Sequence, residues 1–205
     1  MNTRQGLDWQ RAQALFAAER QYFIQQHPQS QALAAQAAEH WLFGVPLHWM
    51  SDWSTPFALF VASAQGAHLR DVDGHEYADF CLGDTGAMFG HAPEPVAQAL
   101  AAQAQAGISA MLPSADAVRV AQALQQRFGL PYWQAAMTAS DANRFALRWA
   151  RALTGRQQIV VFNGCYHGTV DDVFVDLVDG QPQQRDSLLG QVHDLTAYTR
   201  VVEFN

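Results

Sequence analysis

The sequence predicts an α/β fold, and three observations lead to that prediction. Strand-like and helix-like segments alternate with short connections in the second half of the chain, which is the order of a parallel sheet built from βαβ units. Asp73-Gly74 stands between two extended segments and predicts a β-hairpin. Apolar residues make up 49% of the 205 residues and charged residues only 15%, which is typical of a globular protein with a sizeable core.

The first part of the chain predicts a helical and hairpin lobe, over residues 1–82. Apolar residues at helical spacing predict a helix over Leu7–His27, which Pro28 interrupts, and a second helix over Gln31–His40. An aromatic-rich connector, Leu47–Phe60, follows. The predicted hairpin pairs Ala67–Val72 with Glu76–Cys81 around Asp73-Gly74.

Residues 83–205 predict the first part of a larger parallel-sheet domain. Pro95 and Ser114 suit the starts of two helices, because proline fits a first turn and serine is a common N-cap. Ser140 is the predicted N-cap of a further helix, ending at Leu153. The predicted strands are Tyr132–Thr138, Gln158–Phe162 and Arg200–Phe204. We expect an incomplete sheet with an exposed edge.

Charge and composition exclude several classes of function. The formal net charge is −7, without basic clusters, which argues against nucleic-acid binding. No apolar run is long enough to span a membrane, and Met1–Arg11 lacks the apolar core of a secretory signal, so we expect a cytoplasmic protein. The two cysteines, Cys81 and Cys165, favour free thiols, and no zinc-ligand spacing is present, so no metal is expected.

Small residues stand where a helix is expected to begin after a buried strand. In Thr138-Ala139-Ser140-Asp141, the backbone N–H groups of the first helical turn could receive an anion, and Ser140 adds a hydroxyl. An ordinary serine N-cap without a ligand explains the same residues, and Asp141 is then a favourable acid in the first turn. From this segment alone the ordinary cap is the stronger interpretation.

An aromatic residue follows the next strand. Tyr166-His167-Gly168 comes after Gln158–Phe162 and a glycine turn, at the carboxyl end where open α/β sheets bind ligands. The ring could stack on a flat heterocycle, although a half-buried tyrosine and a histidine in a loop is the simpler interpretation. Taken together, the two segments predict an anion site and an aromatic platform on one edge of the sheet, as a flat phosphorylated cofactor requires.

The order of these motifs resembles the class-III aminotransferases, and in particular their glutamate-1-semialdehyde aminomutase-like branch. The resemblance covers roughly residues 40–170 and rests on two ordered series. The first contains Asp73-Gly74, Tyr77, Asp79-Phe80, Gly83, Gly90-His91 and Pro93. The second contains Ala146-Leu147-Arg148, Thr154-Gly155-Arg156 and Phe162-Asn163-Gly164-Cys165-Tyr166-His167-Gly168.

The resemblance implies an incomplete fold-type-I pyridoxal-phosphate transferase, which acts on an amino or keto acid and is a homodimer when complete. It assigns cofactor binding to Ala139, Ser140, Tyr166 and His167: Ala139 and Ser140 to the phosphate, Tyr166 to the ring. The connector holding Trp49 and Trp53 would shape the substrate pocket, although apolar anchoring is the stronger interpretation. Alanine at 139, where the family has glycine, is tolerated if its φ is negative.

The family's cofactor-anchoring lysine has no counterpart, because the 205 residues contain no lysine and all twelve basic residues are arginine. No catalytic residue is therefore assigned, and His167 as a replacement base has little support. We expect one portion of a transaminase or aminomutase that is inactive alone. The alternative is a non-catalytic module that binds the cofactor or dimerises. A phosphosugar binder is the third class considered, and it rests on the capped helix only.

Overall fold

A computed structural model describes residues 8–186 and 188–205. The α-helices of that part are α1 (Trp9–Gln26), α2 (Pro28–Ala37), α3 (Glu94–Ala106), α4 (Asp116–Phe128) and α5 (Ala139–Thr154). The strands are β1 (Val61–Gln65), β2 (His68–Asp71), β3 (Glu76–Ala78), β4 (Ile159–Phe162), β5 (Val175–Val178), β6 (Gln181–Gln184) and β7 (Thr199–Val202). Leu7, the predicted start of α1, and most of the segment Met1–Arg11 lie outside the described residues.

The chain divides into two units, one ending at Met111 and the other beginning at Leu112. The sequence analysis predicted a boundary after residue 82. That boundary refers to the domains of the family fold, and it stays a prediction. In the described residues, no helix is both long enough and apolar enough to cross a membrane. Both cysteines are free thiols.

The N-terminal unit contains an antiparallel sheet in the order β1-β2-β3. The predicted pairing around Asp73-Gly74 is present, but four residues, 72–75, connect the strands. The Asp73 carboxylate has a different partner, because it accepts hydrogen bonds from the backbone N–H groups of Gln29 at 2.6 Å and Ser30 at 2.9 Å. It thus caps α2, whose own N-cap residue, His27, makes no side-chain cap.

The C-terminal unit is built on two parallel strands. β4 pairs with β7 in register from Ile159 with Thr199 to Phe162 with Val202, as the βαβ pattern predicts. A core of buried apolar residues lies beside this pair, and Leu147 of α5 packs against it. The buried members are Val161, Val170, Val173, Val175, Leu195 and Val201.

Two features of this unit differ from the sequence prediction. Tyr132–Thr138 is not a strand: within the described residues it has no hydrogen-bonded strand partner, and Tyr132 is 90% exposed. Conversely, β5 and β6 form an antiparallel hairpin in a segment for which no strand was predicted. Asp179 and Gly180 join them with φ values of 51° and 74°, the pattern of a tight type I′ turn.

Candidate functional site

The candidate site is centred on the first turn of α5. Thr138 is the N-cap, with extended backbone, and its Oγ1 accepts a hydrogen bond from the Asp141 N–H at 3.1 Å. The Thr138 hydroxyl also donates to the Asp141 carboxylate at 2.9 Å. The prediction that Ser140 caps this helix is therefore wrong. Thr138 takes that role because it is the last residue with non-helical dihedral angles.

Because Ser140 does not cap the helix, its side chain is available for tertiary contacts. Its Oγ accepts a hydrogen bond from the Thr169 backbone N–H at 2.9 Å and lies 3.3 Å from the Thr169 hydroxyl. The two hydroxyls carry two protons, and the contact between them uses one. Whichever hydroxyl donates in that contact, the other keeps a proton for a further acceptor.

Two backbone donors at the same turn have no acceptor within the described residues. These are the N–H groups of Ala139 and Ser140, because Asp141 and Ala142 bond to Thr138. They are the pair that the resemblance assigns to the cofactor phosphate. Ala139 is helical and is not among the residues with positive φ, so alanine in place of the family's glycine is unstrained here.

The loop that follows β4 lies against this turn. Gly168 is buried with φ +83°, and a Cβ added there would lie 2.4 Å from Ser140 Oγ and 3.0 Å from Ser140 Cα. The Asn143 side-chain amide donates to the His167 carbonyl at 2.9 Å. The structure therefore brings the start of α5 and the Tyr166-His167-Gly168 segment together, although the segment before α5 is not the strand that the sheet-edge argument assumed.

The two rings of this loop differ in exposure. The Tyr166 side chain is 72% exposed, so a face of its ring is free to contact a planar ligand. The Nε2 atom of His167 is shielded from solvent and has no hydrogen-bond partner in the described part of the chain. A shielded and unpaired ring nitrogen is unfavourable unless a ligand or water supplies a partner.

Residues that the sequence analysis did not identify hold the loop in place. The Arg185 guanidinium donates to the Cys165 carbonyl at 3.0 Å, pairs with Asp176 at 3.0 Å, and lies 5.5 Å from the centre of the Phe174 ring. The Asn163 side chain accepts from the Leu177 N–H at 2.9 Å. These contacts fix the backbone on both sides of Gly164, and no local sequence signal marks them.

Trp53 belongs to the N-terminal unit. It is 60% exposed and lines a cleft of about 270 Å³ together with Met50, Phe57 and the α2 residues Ala34 and Ala38. A contact with substrate stays a prediction for this residue.

Asp141 carries a negative charge in the same helical turn as the N–H groups of Ala139 and Ser140. Its carboxylate accepts from Thr138 and lies 3.6 Å from an Arg144 side-chain nitrogen. These contacts turn it toward the cap and partly balance its charge. The first turn can therefore still receive an anion, with two backbone N–H groups, one hydroxyl proton and the positive end of the helix dipole.

Comparison with known proteins identifies the family. The sequence profile of the class-III aminotransferases matches residues 49–189. The chain belongs to the class-III aminotransferase family. A glutamate-1-semialdehyde 2,1-aminomutase from Methanosphaera stadtmanae is 37% identical over 153 residues, covering 73% of this chain and 36% of its own length.

Solved structures show the same fold. A lysine-to-alanine variant of a glutamate-1-semialdehyde aminomutase from Pseudomonas aeruginosa PAO1, in complex with PMP, is 47% identical, with a TM-score of 0.90. The match covers 98% of this chain and 44% of that one. A transaminase with PLP bound is 31% identical with a TM-score of 0.76, over 87% of this chain and 42% of that one.

These findings confirm the predicted family and the predicted fold class, an incomplete fold-type-I transferase. They also confirm pyridoxal phosphate as the family's cofactor, because related structures hold PLP or PMP. The chain spans less than half the length of the relatives that it matches.

Proposed function

We propose that this chain supplies the cofactor-phosphate and ring-binding portion of a pyridoxal-phosphate-dependent transaminase or aminomutase that acts on an amino or keto acid. The observation that carries the proposal is the contact between Ser140 and the Gly168-Thr169 backbone. That contact joins two free N–H groups at a helix start to a loop with an exposed aromatic ring. The similarity to aminomutases and transaminases supports the substrate class.

Each residue of the portion has one physical task. The N–H groups of Ala139 and Ser140, with a hydroxyl proton from the Ser140–Thr169 pair, bind phosphate oxygens. The Tyr166 ring covers one face of the heterocycle and excludes water from it, and a ring stack of this kind contributes about 0.5–1.5 kcal/mol. His167 Nε2, which has no hydrogen-bond partner among the described residues, would gain one from the bound cofactor or from a water molecule beside it. When bound, pyridoxal phosphate supplies an electron sink for the amino-acid carbon.

A chain without lysine would bind the cofactor without a covalent bond to a side chain. The relative from Pseudomonas aeruginosa supports this, because a variant with one lysine replaced by alanine forms a complex with PMP. We propose that turnover needs a lysine from outside these 205 residues, and that the complete enzyme is a homodimer in the cytoplasm. The two free thiols are consistent with a reducing compartment.

Equilibrium dialysis with pyridoxamine phosphate tests the binding role. This probe has no aldehyde, so it cannot form an adduct with the N-terminal amine. Ser140→Asp places a carboxylate at the proposed phosphate site and should weaken binding at least tenfold, since one lost charge-assisted hydrogen bond is worth about 1.5–3 kcal/mol. Ser63→Asp, on exposed β1, is the charge-matched control.

The comparison of the two variants decides whether the phosphate site is placed correctly. Weakened binding in Ser140→Asp with unchanged binding in Ser63→Asp supports the proposal. Equal binding by both variants, or no binding by the parent chain at millimolar probe, contradicts the site as placed here.

A second candidate function is an association module, and the exposed surface favours it. The accessible surface is 16851 Å². Two separate compact units, each with half of the 22.6 kDa mass, would expose only about 11,500 Å² by the usual scaling. Apolar side chains contribute to the excess: Trp149 and Leu153 of α5 and Val160 of β4 are 67%, 78% and 65% exposed. Surfaces of this kind pair with another polypeptide.

Sedimentation velocity distinguishes the two candidates. An association module forms a defined dimer at micromolar concentration whether or not pyridoxamine phosphate is present. A chain that only binds the cofactor sediments as a monomer, and dialysis then detects the ligand.

A further inference from the structure

Three potential metal ligands meet in the N-terminal unit. His27 lies at the junction of α1 and α2, Asp71 ends β2, and His75 lies in the β2–β3 connection. Their nearest ligand atoms all lie within 4.8 Å of one another. His27 is 7% exposed and Asp71 is 1% exposed, so this is a buried group of polar atoms and not a surface acidic cluster.

The spacing of the ligand atoms suits a tetrahedral ion. Asp71 Oδ2 lies 3.5 Å from His27 Nε2 and 3.2 Å from His75 Nδ1. Ligands about 2.0–2.2 Å from a tetrahedral zinc ion are separated by roughly 3.3–3.5 Å. The His75 side chain is 37% exposed, so its ring can turn to close the remaining gap, and it leaves a path from solvent.

Surrounding hydrogen bonds orient two of the ligands. His27 Nδ1–H donates to the Phe23 carbonyl at 2.6 Å, which leaves the lone pair of Nε2 facing the cluster. The His75 backbone N–H donates to Asp71 Oδ1 at 2.8 Å, which leaves Oδ2 facing the histidines. A backbone carbonyl or amide in this supporting position is typical of metal-binding histidines and carboxylates.

The Tyr77 hydroxyl lies beside two of the three ligands. Its oxygen is 2.8 Å from Asp71 Oδ2 and 2.8 Å from His27 Nε2. Asp71 Oδ2 and His27 Nε2, 3.5 Å apart, face each other and lie within reach of one shared cation.

We propose that His27, Asp71 and His75 bind a divalent transition-metal ion of the zinc class, which clamps the α1–α2 junction onto the β2–β3 hairpin. Two imidazoles and one carboxylate favour zinc-class ions over magnesium. His75 presents Nδ1 after its proton moves to the exposed Nε2, and Tyr77 remains a neutral donor to Asp71. An additional proton on His27 is the competing occupant of the same position.

Zinc binding to the tag-free chain, after treatment with a chelator, tests the proposal. Zn²⁺ is titrated in competition with a chromophoric chelator, and Mg²⁺ is the negative control. We expect one Zn²⁺ per chain, an affinity weakened roughly tenfold or more by His75→Asn, and no change in His68→Asn, which alters an exposed histidine on β2. Zn²⁺ should also raise the thermal midpoint of the parent chain but not that of His75→Asn.

Imidazole ¹⁵N spectra show whether a zinc ion or a proton on His27 occupies the space between the three ligands. The proposal predicts that Zn²⁺ shifts the Nε2 resonance of His27 and the Nδ1 resonance of His75. It is overturned if His75→Asn binds Zn²⁺ as tightly as the parent chain, or if no zinc competes with the chelator. It is equally overturned if both His27 nitrogens carry protons and remain unchanged on Zn²⁺ addition, because the proton then fills the site.

Discussion

Gly168→Ala is the substitution that most directly tests the contact between the two halves of the candidate site. At φ +83° any residue with a Cβ is strained, by roughly 1–2 kcal/mol. The added Cβ would also lie 2.4 Å from Ser140 Oγ and 3.0 Å from Ser140 Cα, and the Cα belongs to helix backbone that cannot move freely. Overpacking of this kind adds about 1–3 kcal/mol. We therefore expect a total destabilisation of about 2–5 kcal/mol.

Gly164→Ala is the matched control, because it separates backbone strain from the contact. Gly164 lies in the same loop with φ +70°, and an added Cβ would meet nothing within 4 Å. It should lose only the strain energy, about 1–2 kcal/mol. Urea unfolding followed by tryptophan fluorescence gives both free energies of unfolding.

A double-mutant cycle completes this test. Ser140→Ala removes the atom nearest to the added methyl group, so Ser140→Ala/Gly168→Ala should be less destabilised than the sum of the two single changes. Equal losses for Gly168→Ala and Gly164→Ala, with no coupling to position 140, would refute the placement of the loop against α5.

Three further predictions follow from named contacts. Thr138→Ala removes the N-cap of α5 and should lower the free energy of unfolding by about 1 kcal/mol in urea titration; no change would mean that another group caps the helix. The hydrogen bond from His91 holds the pKa of Asp79 below its ordinary value of 3.8, so this stabilisation is present above about pH 4 and is lost as the pH falls through the lowered pKa. His91→Gln should therefore flatten the acid limb of a plot of urea midpoint against pH, and a limb of unchanged slope would contradict this. Tyr166→Ala should weaken pyridoxamine phosphate roughly 2–10-fold in dialysis, whereas Tyr132→Ala, an exposed tyrosine outside the loop, should not; equal effects of the two would remove the ring from the site.

The sequence predicted the elements whose signals are local. The predicted bounds of α2, the start of α3 and the end of α5 lie within a few residues of those in the structure, and proline marks the starts of α2 and α3 because it restricts the backbone directly. The hairpin signal was less reliable. Asp73-Gly74 marks a four-residue connection, because the Asp73 carboxylate caps α2 instead of closing a tight turn. Asp179-Gly180 forms the tight turn, but its strand β6 contains Pro182 and little apolar sequence.

The candidate site was predictable in outline, but the sheet-edge argument was only half right, because the Tyr166 segment follows β4 whereas the segment before α5 is not a strand. Its details depend on tertiary contacts. The identity of the N-cap was decided by backbone dihedral angles at Thr138, and the roles of Thr169 and Arg185 exist only once the loop folds back. The proposed metal ligands have no local sequence signal for the same reason, since His27 and Asp71 are 44 positions apart.

The most direct test of the proposed cofactor site is a ¹H–¹⁵N correlation spectrum recorded during titration with pyridoxamine phosphate. Pyridoxamine without phosphate and inorganic phosphate alone serve as the comparison probes. The N–H signals of Ala139, Ser140 and Thr169 should shift with both phosphate-bearing probes, and the signal of Tyr166 should shift only when the ring is attached to the phosphate. Shifts confined to other helix starts, such as that of α4, or no shift at any of these positions, would contradict the account.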